Sequence, residues 1–74
     1  MTVKTLAEIN KGEKVTIKTL AGGKSFKEKL VNLGLLPGVE IEVVSTTPKG
    51  PFILKIRDSK IVLGYGMVQK ILVA

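Results

Sequence analysis

The stretch LVNLGLLPGV, residues 30–39, decides how this chain folds, because it combines a helix stop with a tight turn. Gly34 follows the last apolar position of a helical pattern, where helices commonly end on a residue with positive φ. Pro37-Gly38 suits the two central positions of a type II turn, because proline presets φ and glycine accepts a positive value. From Val39 to Val44 apolar and acidic residues then alternate, which predicts a half-buried strand.

A short helix is predicted directly before this corner. Ser25 and Glu28 have the spacing of a capping box, in which each side chain bonds the other residue's backbone amide. We expect the helix to run from Phe26 to Leu33. Its buried stripe would then consist of Phe26, Leu30 and Leu33.

Short strands separated by turn residues fill the rest of the chain. The expected segments are 14–20, 39–44, 52–57, 61–63 and 70–73. In the first of them Val15, Ile17 and Thr19 share one face. A single turn is expected from Thr5 to Ile9, and a flexible glycine-containing break at 64–67. This pattern predicts a mainly β fold, a small SH3-like barrel with one short α-helix and short single-turn helices, as one domain over residues 1–74.

Composition narrows the function. The 74 residues include no cysteine and no histidine, so the commonest general base, the best nucleophile and the soft metal ligands are all missing. We therefore expect no enzymatic activity, no cofactor and no tightly bound transition metal. Glu40 and Glu42 lie on one face of a predicted strand, but nothing in the sequence supplies further ligands to complete a metal site.

Membrane segments are not expected. No apolar run approaches the roughly 20 residues that span a bilayer, and the N-terminus from Met1 to Lys4 has no signal-peptide hydrophobic stretch. We expect a cytoplasmic protein that meets a membrane only through a protein partner.

The formal net charge of +6 is compatible with nucleic acid, anionic lipid or an acidic protein surface as a partner, but a solvated lysine surface that maintains solubility is the favoured interpretation. The positive charge comes from scattered lysines, and Arg57 is the only arginine. Base and bidentate phosphate recognition favour arginine, so an acidic protein surface is preferred to nucleic acid. A weak homo-oligomer is also compatible with this composition.

Several segments resemble the FeoA family, small proteins linked to bacterial and archaeal ferrous-iron transport. The matching residues are Leu30, Leu33-Gly34-Leu35, Pro37-Gly38, Leu6, Gly12 and the segments 48–51, 61–63 and 70–73. The resemblance covers nearly the whole chain. It implies a small SH3-like barrel that partners the cytoplasmic part of the large membrane transporter FeoB. It also implies transition metal ion binding. We expect the connection of this chain with iron to be indirect, through a transporter, because the chain has no histidine or cysteine ligand.

The candidate partner-binding surface lies at the corner after the helix. Two adjacent leucines rarely share one inward direction, so at least one should be exposed beside a basic rim. Prolines and a tyrosine in loops form a second candidate patch. The candidate residues are Lys24, Lys27, Leu35, Leu36, Pro37, Pro51 and Tyr65.

Two other functions stay open on the residues alone. A nucleic-acid- or ribosome-binding SH3-like barrel would use the positive charge on phosphates, although stacking aromatics are few. A domain resembling the SH3-like tail of an iron-dependent repressor would share the fold. That alternative lacks both the usual metal ligands and a DNA-binding helix pair.

Overall fold

The structure, a computed structural model, describes residues 4–74. Its elements in chain order are β1 (Lys4–Thr5), a 3-10 turn (Leu6–Glu8), β2 (Lys14–Leu20), α1 (Lys24–Asn32), β3 (Glu40–Ser45), β4 (Phe52–Ile56), β5 (Ser59–Leu63), α2 (Tyr65–Val68) and β6 (Ile71–Val73). The expectations for Met1 to Val3, and so for one domain over 1–74, reach beyond the described residues.

All strand pairs are antiparallel, and the six strands follow the order β1-β6-β2-β3-β4-β5. Strand β2 belongs to both halves of the sheet, since its first residues pair with β3 and its later ones with β6. Sharing one strand lets the sheet fold over a single core. The mainly β prediction is confirmed.

A bulge in β2 corrects the predicted face of that strand. The register shifts between Ile17 and Thr19, which leaves Lys18 as the extra residue. A bulge reverses the alternation beyond it. Thr19 is therefore exposed instead of inward, and Leu20 is buried in its place.

The core is apolar throughout the described residues, with no buried polar or charged side chain. Ile41 and Val43 of β3 and Leu54 of β4 are almost fully buried, as their alternation predicts. The 3-10 turn contributes Leu6, which is also fully buried. Burial of this kind stabilises a short chain by about 25 cal/mol per Å² of apolar surface.

Helix α1 begins earlier than predicted, and its cap is a different residue. Gly23 is the N-cap, with extended backbone at φ −77° and ψ 170°, and its carbonyl accepts the Lys27 amide at 3.1 Å. Ser25 lies inside the helix, so the predicted capping box with Glu28 is wrong. The same Ser/Thr-x-x-Glu spacing does operate at Thr5, whose backbone N–H donates to Glu8 Oε2 at 2.8 Å.

The predicted apolar stripe of α1 is confirmed only at Leu30. Phe26 is half-buried, and the Lys70 ammonium lies 5.1 Å from the centroid of its ring. Leu33 is 41% exposed at the C-cap. The core space beside Leu30 is filled by Leu35 instead, which the chain brings back under the helix end.

The expected flexible break after β5 is a short helix. Gly64 is its N-cap at φ −67°, and Val68 is buried. Gly66 lies within the helix and does not use positive φ. The two glycines are therefore not used for their conformational freedom.

Candidate functional site

The helix ends in a Schellman motif that fixes the directions of the residues after it. Gly34 takes φ +91°, its N–H donates to Val31 O at 2.9 Å, and the Leu35 N–H donates to Leu30 O at 2.9 Å. This motif usually brings the residue after the glycine against the helix three residues before the cap. Leu30 and Leu35 are accordingly both fully buried. The prediction that the Leu35 side chain contacts a partner is therefore wrong, because that side chain lies in the core.

The turn that follows holds Leu36 outward. The Val39 N–H donates to Leu36 O at 3.1 Å across Pro37 and Gly38, and Gly38 has φ +93°, as a type II turn requires. The Gly38 N–H also donates to Ile17 O at 2.7 Å, which ties the turn to β2. Leu36 is 41% exposed and Pro37 is exposed. The expectation that at least one of the two leucines is exposed is confirmed.

Leu36 lies in an open groove between two parts of the chain. One wall is the corner between α1 and β3, and the other is the hairpin between β4 and β5. We call it the corner groove. Its lining consists of Leu33, Gly34, Leu36, Val39, Ile56, Arg57, Ser59 and Ile61.

Arg57 gives the corner groove a positive group. It stands in the two-residue turn between β4 and β5 at φ +53°, a region that non-glycine residues rarely adopt. It also lines a polar groove with Lys14, Glu40 and Glu42, so it lies between an apolar and a charged surface. A guanidinium there can form a bidentate pair with a carboxylate.

Sequence reasoning missed Leu33, Arg57 and Ile61 as members of this site. Leu33 was expected in the core, because the helix was expected to bury its last apolar position. For Arg57 a signal exists, since it is the only arginine of the chain and ends the predicted strand 52–57, although the structure places it in the turn. For Ile61 no local signal distinguishes a groove wall from a core position.

Lys24 and Lys27 do not join the corner groove. They line a separate groove on α1 together with Glu28, Val31 and Asn32. Lys24 Nζ lies 4.0 Å from Glu28 Oε1, with both side chains well exposed, so the pair adds little stability. At about 1.5 Å rise per residue, the first turns of α1 lie roughly 9–14 Å from its C-terminal end. These lysines and Leu36 therefore lie in two separate grooves, and a shared part in partner binding stays a prediction.

The second candidate patch is also divided. Tyr65 is half-buried and lines a concavity with Ala7, Pro48 and Phe52, among others. Pro51 is exposed immediately before β4 and is not among the residues lining that concavity. Tyr65 also packs against the core, and its part in partner binding stays a prediction.

Metal ligands do not converge in the part of the chain that the structure describes. Within residues 4–74 no three carboxylates come together in a group that could hold a metal ion. The sequence has no histidine or cysteine that could add a ligand to them. Glu40 and Glu42 share their groove with Lys14, Lys55 and Arg57. These cations oppose the approach of a metal ion and offer it no lone pair.

The fold defines a small antiparallel β module with an open, largely apolar groove at one corner. A family model described as the FeoA domain matches residues 4–74. Over 68 residues the chain is 32% identical to a protein of Methanocaldococcus jannaschii named Fe(2+) transport protein A, covering 92% of this chain and 82% of that one. The chain belongs to the FeoA family, the accessory proteins of ferrous-iron transport.

Solved structures agree on the fold. The crystal structure of an iron uptake regulatory protein, FeoA, superposes with a TM-score of 0.91 at 32% identity, covering 97% of this chain and 96% of that chain. A manganese-dependent transcriptional repressor in complex with manganese superposes at 0.92, with 15% identity and coverage of 100% and 37%. The second likeness concerns the fold alone. The SH3-like prediction is confirmed.

None of the helices formed by residues 4–74 has the length and the apolar character that crossing a membrane requires.

Proposed function

We propose that this chain is a non-enzymatic cytoplasmic accessory protein that binds the cytoplasmic part of the ferrous-iron transporter FeoB through the corner groove. One observation carries the proposal: Leu36 is held 41% exposed on a turn fixed by backbone hydrogen bonds, in a chain of the FeoA family. A rigid apolar anchor lowers the ordering cost of binding. Arg57 beside it favours a carboxylate on the partner.

The groove has the composition expected of an interface centre. Leu33 and Leu36 are each 41% exposed, and the half-buried Val39 and Ile61 lie beside them. An apolar groove that also contains an arginine fits the composition of an interface core, where apolar area is high and arginine is enriched. The transporter's membrane location would then bring this chain to the membrane surface without a membrane segment of its own.

The test is the affinity of the purified chain for the cytoplasmic domain of FeoB from the same organism, measured by isothermal titration calorimetry. We expect Leu36→Ser to weaken binding about thirtyfold or more, since truncating a hot-spot residue costs about 2 kcal/mol or more. Val31→Ser is the matched control, because Val31 is 42% exposed but lies outside the groove. Equal affinities for Leu36→Ser and wild type would place the interface elsewhere.

A nucleic-acid role has less support. The exposed lysines are distributed over several elements, for example Lys18 on β2, Lys27 on α1 and Lys55 on β4, and the single arginine faces an apolar groove. Titration of the same protein with duplex DNA and with RNA provides the comparison. Binding tighter than to the transporter domain at equal salt would favour that alternative.

A further inference from the structure

Strand β5 has a free edge. It is the last strand of the sheet formed by residues 4–74 and pairs only with β4 there. Ile56 and Ser59 are partners in the ladder and flank the two-residue turn, a position where hairpin geometry makes the two residues a hydrogen-bonded pair. Since antiparallel pairs alternate between bonded and non-bonded, the N–H and C=O groups of Lys60 and Val62 point away from β4.

Nothing in the described part of the chain covers this edge. Val62 is 64% exposed, the highest value among the exposed large hydrophobic residues, and Lys60 is exposed as well. Within residues 4–74 neither makes a backbone hydrogen bond to a segment outside the ladder. The edge therefore offers two donors and two acceptors in the spacing that an added strand needs.

The same strand forms one wall of the corner groove. Ser59 and Ile61 direct their side chains to the groove, while Lys60 and Val62 lie on the opposite face. A strand added to β5 would continue this alternation. Every second side chain would enter the groove towards Leu36, and the intervening ones would lie beside Lys60 and Val62.

The positive charges around the edge of β5 favour an acidic segment of another protein as its partner. Lys55 lies directly opposite Lys60, and Arg57 follows in the hairpin turn, against one acidic residue there, Asp58. Lysines on an edge strand oppose pairing between copies of one chain, and the net charge of +6 adds to that repulsion. An acidic segment of another protein has complementary charge instead.

We propose that the partner binds as an extended segment that adds a seventh strand to the edge of β5. Its apolar residues occupy the corner groove, and its alternate acidic residues face Lys55 and Lys60. This inference rests on the proposed function for the groove as the docking surface. It adds the backbone conformation and residue pattern of the bound segment.

The test uses amide hydrogen exchange of the wild-type chain, alone and with the FeoB cytoplasmic domain. We expect the amides of Lys60 and Val62 to exchange more than about tenfold slower in the complex, because each gains a hydrogen bond.

A substitution tests the same edge. We expect Val62→Pro to weaken binding about threefold to tenfold, because proline removes one hydrogen bond to the added strand. An edge position whose N–H faces solvent tolerates proline, and thermal unfolding checks the fold of the variant.

Val62→Thr is the matched control, since it keeps both the amide and the β-branched shape and should retain affinity within about twofold. Unchanged exchange at both amides, in a complex that Leu36→Ser still disrupts, would overturn strand addition and leave the proposed function intact.

If the transporter domain does not bind at all, the proposed function fails. Strand addition is then tested with short peptides that alternate valine with glutamate or valine with lysine. Selective binding of the glutamate peptide, with protection of the Lys60 and Val62 amides, supports the inference. Equal binding of both peptides, binding of neither, or protection that grows with protein concentration alone would overturn it, the last result identifying a second copy as the occupant.

Discussion

Gly34 concentrates the constraint of the corner in one residue. Its φ of +91° is costly for any side chain with a Cβ, although a Cβ built there would meet no atom within 4 Å. The cost is therefore backbone strain and not a clash. We expect Gly34→Val to lower the free energy of unfolding by more than about 1 kcal/mol, measured by urea denaturation.

Gly66→Ala is the control for that substitution, because Gly66 lies in α2 at negative φ with equally open space. In a helix alanine is favoured over glycine by up to about 1 kcal/mol, so this change should stabilise the fold. An unchanged midpoint for Gly34→Val would mean that position 34 adopts an ordinary negative φ in solution.

At the scale of elements, the local signals around the corner predicted its geometry but not the directions of the side chains. Gly34 and Pro37-Gly38 determine their own backbone conformations, so positive φ at 34 and 38 was predictable. Leu35 is fully buried in the same core cluster as Leu30, whereas Leu33 is exposed, and these positions depend on tertiary packing. The bulge at Lys18 arises from pairing with β6, which is distant in sequence. The corner groove joins residues 33–39 with residues 56–61, which are not neighbours in sequence, so no local pattern predicts it.

The cap of α1 gives a test at the same scale. Because Gly23 is the N-cap and the Ser25 side chain makes no hydrogen bond within residues 4–74, Ser25→Ala should be neutral or slightly stabilising. Gly23→Asp should stabilise the helix by a few tenths of a kcal/mol, since a carboxylate caps the first amides and a Cβ there meets no atom within 4 Å. A loss of about 1 kcal/mol for Ser25→Ala in thermal unfolding would restore Ser25 as the cap.

At the scale of the whole molecule, the ligand types in the sequence limit metal binding. Without histidine or cysteine, and with Glu40 and Glu42 beside three cationic side chains, ferrous iron has only weak oxygen ligands. We expect purified protein to retain no stoichiometric iron or zinc after dialysis against a chelator, as measured by elemental mass spectrometry. One equivalent of either metal retained per chain would contradict this prediction.

The excess of positive charge, +6 in total, affects both the stability of the fold and the proposed association with a partner. Lys55 and Lys60 stand directly opposite each other on β4 and β5, and like charges in that position destabilise a sheet. We expect Lys60→Glu to raise the free energy of unfolding by about 0.2–1 kcal/mol, because the repelling pair becomes an attracting one. If the proposed partner presents an acidic surface, the same change should slow association with it and reduce the salt dependence of the association rate.

The variant Lys27→Glu is the control that distinguishes an effect of the charge beside β5 on the association rate from an effect of the net charge. It changes the formal charge by the same amount, but Lys27 lies on α1 outside the corner groove. Stopped-flow association rates at two salt concentrations would compare the two variants. If the association rate falls more for Lys60→Glu than for Lys27→Glu, the lysines beside β5 accelerate the encounter with the partner. Equal losses would mean that only the overall charge of the molecule matters, and the basic edge of β5 would then have no special part in recognition.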